Sequence, residues 1–218
     1  MEPAGLADTD LRRSWRVIGA AIASMTAVGF AISLSLPLLS LVLEQRGYSP
    51  SIIGINTAVG GIPSLLMPLT VPYLVARFGT AQVAIVSLIA MAAVFPVFYF
   101  ADSLWLWFPL RAFFYAAETV AFTVGEFWIN ALAPKGRRGF AIGVYGTVLS
   151  VGLAAGPATL SLVGADGLLP FLIGSAVFLA GTVPMLFVLD SNPRGLTRRP
   201  RTNVVGFVLL APTALFAV

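Results

Sequence analysis

Charged residues punctuate this chain, and the stretches between them are almost wholly apolar. Val17–Leu43 runs 27 residues without a charge, Gly47–Ala76 runs 30 and Phe78–Ala101 runs 24. Ser103–Pro134 is also apolar but carries Arg111, Glu118 and Glu126, and it is followed by Gly139–Ala165, Gly167–Leu189 and Thr202–Val218. About 20 helical residues cross a hydrocarbon core of about 30 Å, and a helix satisfies its own backbone polar groups there. The pattern therefore predicts an all-α, polytopic membrane protein. Its expected organisation is an N-terminal segment at 1–16, a six-helix bundle at 17–189, a basic linker at 190–203 and a truncated seventh helix at 204–218. The first apolar run is longer than the 7–15 residues of a signal peptide and ends at Glu44-Gln45-Arg46-Gly47, so it reads as a retained span.

Composition agrees with the pattern. Of 218 residues, 58% are hydrophobic and 10% charged, whereas soluble domains carry roughly 25% charged residues. Mean hydropathy is +0.94. So few charges cannot coat a water-soluble globule, which leaves lipid as the solvent. The chain has no Cys and no His, which removes disulfides, thiolate chemistry, imidazole or sulfur metal sites and Ser-His dyads. No enzyme, metal or cofactor is expected.

The placement of charge sets the orientation. With the N-terminus inside, Arg12, Arg13, Arg16, Arg77, Lys135, Arg137, Arg138, Arg194, Arg198, Arg199 and Arg201 all face the cytoplasm and Arg46 alone lies in an outer loop. That is the asymmetry of a multi-pass protein of the cell membrane with a cytoplasmic N-terminus. It also accounts for a pI near 10.0 without a nucleic-acid partner. Gly19, Ala23, Ala27 and Ala31 form a small-residue stripe on the first span, and Gly139, Gly143, Gly152 and Gly156 recur on the fifth; both predict close helix packing. Pro63, Pro68 and Pro72 predict a bent second span.

Ionisable groups within a span are costly and need a reason. All three lie on the fourth span, within an arc of about 80° by ideal helix geometry. Arg111 and Glu118 are separated by about 10 Å along the axis, too far for a direct ion pair. Arg111 is expected to find its partner on another helix or in water, or to snorkel outward. Glu118, near the midplane, is the candidate for taking up and releasing a proton. Glu126 lies nearer the basic inner end, where an ion pair with Arg77 or the Lys135–Arg138 cluster would gate or brace the bundle. Asn130 follows one turn on, and Asn56 and Gln82 read as interhelical hydrogen-bonders.

With these residues in view, the whole chain resembles the N-terminal half of a major facilitator superfamily transporter. The loop after the second span in that family reads G-x-L-a-D-R-x-G-R-K. Here Leu74, Arg77 and Gly79 match, while Pro72, Ala76 and Thr80-Ala81 replace the Gly, the Asp and the closing basic pair. Arg111 matches the Arg that opens the family's fourth span, with Phe114 and Tyr115 in place of Gln and Gly. Gly152, Gly156 and Pro157 match the first part of the exporters' G-x-x-x-G-P-x-x-G-G, and Leu160-Ser161 replaces its last two glycines. Gly125-Glu126-Phe127-Trp128-Ile129-Asn130 is similar to a subgroup of sugar- and drug-exporter-like members.

The resemblance implies two inverted three-helix repeats per bundle, a missing C-terminal half and alternating access about a midplane site. It implies proton-coupled export of a small organic solute, with Arg111, Glu118, Glu126 and Asn130 as coupling or cavity residues. Arg77, Gly79, Gly152, Gly156 and Pro157 would then serve gating and helix packing. No sequence repeat between spans one to three and four to six is visible. The alternative, a seven-helix receptor or retinal-type protein, is opposed by the cytoplasmic N-terminus and by Lys135, the single Lys, lying in a loop.

Overall fold

The computed structural model describes residues 4–133 and 136–189, with side chains from Trp15 onward. The linker and seventh helix expected after residue 189 lie outside the described residues, as do Pro134 and Lys135. Seven helical elements are present among the described residues: α1 (Ala4–Gln45), α2 (Pro50–Phe78), α3 (Thr80–Val94), α4 (Val97–Phe100), α5 (Leu104–Leu132), α6 (Arg138–Val163) and α7 (Leu169–Leu186). The third span is divided. Pro96 supplies no N–H to the helical ladder, so α3 stops before Phe95 and the four-residue α4 completes the crossing. The second span, by contrast, is assigned as one continuous helix through Pro63, Pro68 and Pro72. Only Gly79 separates α2 from α3, and its φ of 91° lies where a side chain would be strained.

Among the described residues, five segments are long and apolar enough to cross a membrane: Trp15–Gln45, Pro50–Phe78, Thr80–Phe100, Arg138–Val163 and Leu169–Leu186. The sixth spanning helix, α5, is as long as α2 at 29 residues. Its charges lower its hydropathy, and the fold compensates by burying Arg111 and Glu118 among the neighbouring helices.

Lipid gives no hydrophobic drive for helices to associate, so close packing and hydrogen bonds must supply it. The broadest seam joins α1 and α6. There Gly152 rests on the backbone of Thr26 and Phe30, Gly156 rests on Ser33 and Leu34, and Gly29 rests on Leu149. Ser33 Oγ donates to the Gly152 carbonyl at 3.3 Å. The expected stripe on α1 divides: Gly19 and Ala23 are exposed, whereas Ala27 packs on Gly181 of α7 and Ala31 is buried. Four residues advance a helix by about 40° beyond a full turn, so three such steps rotate the stripe by about 120° and off any single neighbour. On α6, Gly139 and Gly143 meet nothing, for the same reason.

The core gathers around Phe95, whose ring lies 5.3 Å from each of Phe114, Phe171 and Phe178. This explains a phenylalanine at position 114: it fills the junction of α3, α5 and α7. The helix pairings also carry a symmetry. The large seams are α1 with α6 and α2 with α5; then α1 with α7 and α3 with α5; and finally α3 with α7 and α1 with α5. Exchanging α1–α2–α3 with α5–α6–α7 maps this list onto itself. The fourth span runs opposite to the first, so the two halves are inverted repeats.

One end of the bundle is tied by polar contacts among its three loops. Arg46 donates to the carbonyls of Ala101 and Tyr99 and lies over the Trp107 ring at 5.1 Å, and Gln45 Nε2 donates to Asp166 Oδ1 at 2.8 Å. These are the loops assigned to the outer side by charge, and they meet. Arg46→Ala should destabilise the bundle by about 1–2 kcal/mol, because two charge-assisted bonds and a cation–π contact are lost from a partly exposed site. Thermal unfolding in detergent would register this, with Arg46→Lys giving a smaller loss.

Candidate functional site

The charged residues of α5 occupy two different environments. Arg111 is fully buried and Glu118 is 5% exposed. Arg111 lies on the side of α5 that meets α2, and three contacts in parallel register define this seam. Arg111 Nη1 donates to Thr57 Oγ1 at 2.5 Å, the Tyr115 ring packs on Gly60, and Thr119 Oγ1 donates to Ser64 Oγ at 3.2 Å. The Arg111 guanidinium carbon lies 5.9 Å from the centre of the Tyr115 ring. Arg111 therefore has a partner on another helix.

Thr57 leaves much of the demand in this seam unmet. Arg111 Nε and Nη2, both amide atoms of Asn56, the Tyr115 hydroxyl and Glu118 Oε2 have no hydrogen-bond partner among the described residues. Buried polar atoms are normally satisfied, so such a concentration marks a functional or hydrated place. Asn56, expected to bridge helices, is buried without a bond, while Gln82 is exposed at the start of α3. Thr57→Val should cost about 2 kcal/mol by removing the one acceptor that Arg111 has among the described residues, and Thr57→Ser should restore most of it. The midpoint of thermal unfolding measures both.

Glu126 belongs to the other environment. It is half-buried and accepts a hydrogen bond from the Tyr145 hydroxyl of α6 at 3.1 Å. Asn130 Nδ2 donates to the Glu126 carbonyl at 2.9 Å, and Arg138 Nη2 donates to Asn130 Oδ1 at 3.4 Å. A rotation of about 80° separates Glu126 from Glu118 on α5, and Glu126 faces α6. Arg77 does not join Glu126: it donates to Tyr73 on its own helix at 2.8 Å and lies over Phe78. Gly79 is the one-residue turn already described. Gly152 and Gly156 are buried in the α1–α6 seam, and Pro157 beside them is exposed.

Several residues of these sites, Thr57, Ser64, Thr119 and Tyr145 among them, have no role in the sequence reading. Thr57 and Tyr145 are polar groups within apolar spans, a usable signal, but partner choice depends on which helices become neighbours. Tyr115 stood out only as a departure from a family pattern. The small cavity of about 160 Å³ lined by Val42, Arg46, Tyr99 and Phe171 lies at the loop end, apart from both environments.

The sequence model of the Major Facilitator Superfamily matches residues 21–217. The chain belongs to the major facilitator superfamily. Over 166 residues it is 26% identical to an uncharacterized MFS-type transporter, YfkF, of Bacillus subtilis (strain 168). That match covers 76% of this chain and 42% of the relative, so the chain spans less than half of the relative's length. The multi-span helical bundle agrees with that membership. No group of His, Cys, Asp and Glu able to hold a metal occurs among the described residues.

Proposed function

We propose that the chain is the N-terminal bundle of a secondary transporter that exports a small organic solute in exchange for protons. The observation that supports this most directly is the buried pair Arg111 and Glu118, set in a seam with unmet hydrogen-bonding capacity. A carboxyl at that depth is costly and persists where it has work to do. Glu118 takes up and releases the proton, and Arg111 changes its partners as it does so. Glu126 and Asn130 respond at the inner end through α6, and Gly79, Gly152, Gly156 and Pro157 permit the bundle to rock. The N-terminus is cytoplasmic, and residues 17–189 form the bundle.

Full-length protein reconstituted in liposomes with an acidic interior tests this reading. Protons leaving through the protein should drive accumulation of a solute found by screening small organic compounds. Accumulation that persists after an ionophore has dissipated the pH gradient would argue against proton exchange. Reporter fusions at residues 8 and 192 should both read as cytoplasmic.

A further inference from the structure

Helices α1 and α6 run in the same direction and form the broadest seam of the bundle. Their apolar runs also begin at the same level. Arg16 immediately precedes Val17 on α1, and Arg137 and Arg138 immediately precede Gly139 on α6. Trp15 meets Phe140 edge to face at 6.3 Å, which brings the two starts side by side. Arg16, Arg137, Arg138 and Phe140 are all exposed. Among the described side chains, Glu126 is the acid nearest this end, and it is engaged by Tyr145. Arg16 and Arg137 have no acidic partner among the described residues, and Arg138 reaches only Asn130.

A cluster of guanidinium groups with no acidic partner among the described residues, at the edge of the hydrocarbon beside the half-buried Trp15 and the exposed Phe140, is complementary to one component of the surroundings. A phospholipid with net negative charge brings a phosphate to the arginines and acyl chains to the rings. We infer that the paired starts of α1 and α6 form a binding site for the headgroup of an anionic phospholipid in the adjoining leaflet. The glycine contacts of Gly152 and Gly156 fix the two helices against each other, so the arginines are presented from one rigid unit. A lipid held there steadies the end at which Tyr145 and Arg138 of α6 reach Glu126 and Asn130 of α5. The site is separate from the Arg111–Glu118 seam and does not depend on which solute is carried.

The test uses full-length protein equilibrated with vesicles of equal parts phosphatidylcholine and phosphatidylglycerol, followed by native mass spectrometry of the extracted protein. Phosphatidylglycerol should be retained in preference to phosphatidylcholine. Arg16→Gln, Arg137→Gln and Arg138→Gln should each weaken its binding about fivefold, and the triple variant about a hundredfold. The triple Lys variant should keep most of the affinity, because it keeps the charges. Equal retention by the wild type and the triple Gln variant would overturn the inference. So would displacement of the lipid by inorganic phosphate, which would show a site for free anions rather than for a lipid.

Discussion

Replacing Glu118 by Gln is expected to abolish pH-gradient-driven solute accumulation in the full-length transporter, lowering its initial rate on the order of a hundredfold. Losses of this size accompany removal of a positioned proton-transfer group. The substitution is nearly isosteric and enters a seam in which Oε2 has no described partner, so the fold should survive. An amide cannot exchange the proton, however. Exchange of labelled for unlabelled solute at equal concentrations requires no net proton movement and should persist. Unchanged gradient-driven accumulation would remove Glu118 from the coupling step, and loss of both activities would assign it to solute binding or folding instead.

The largest structural effect is expected in the α1–α6 seam. A Cβ placed on Gly156 would lie 2.6 Å from the Leu34 backbone nitrogen and 2.7 Å from the Ser33 carbonyl carbon. Backbone atoms cannot swing aside as a side-chain tip does, so Gly156→Leu must push the helices apart. A destabilisation of about 3 kcal/mol or more is expected, the upper range for overpacking. It should appear as loss of monodisperse protein and a lowered unfolding midpoint. Gly139 lies on the same helix with nothing within 4 Å, and Gly139→Leu should be tolerated. Equal behaviour of the two variants would show that the seam is not as tight as described.

These two glycines also show what one-dimensional spacing leaves open. Gly139–Gly143 and Gly152–Gly156 have the same separation, and only the second pair is enclosed. The three charges of α5 were legible as one polar face because an ideal helix fixes their relative angles. Which helix each would meet was not legible: Glu126 meets Tyr145 on α6, and Arg111 meets Thr57 on α2. Partner identity depends on contacts between residues far apart in the chain, 54 positions for Arg111 and Thr57. The inverted repeat is a further case. It is plain in the helix pairings and absent from the sequence, because a seam constrains size and shape at each contact rather than residue identity.

Taken alone, the sequence determined that the chain is helical, where its spans fall and which of them carries buried charge. Each of these follows from a local rule. In lipid every segment must bond its own backbone, and every charge placed there must be compensated. Tertiary structure decided which faces become seams, why Phe114 fills the core, and which buried groups share one environment. Those outcomes follow from the mutual fit of six helices, and side-chain order along one helix does not contain the shape of its neighbour.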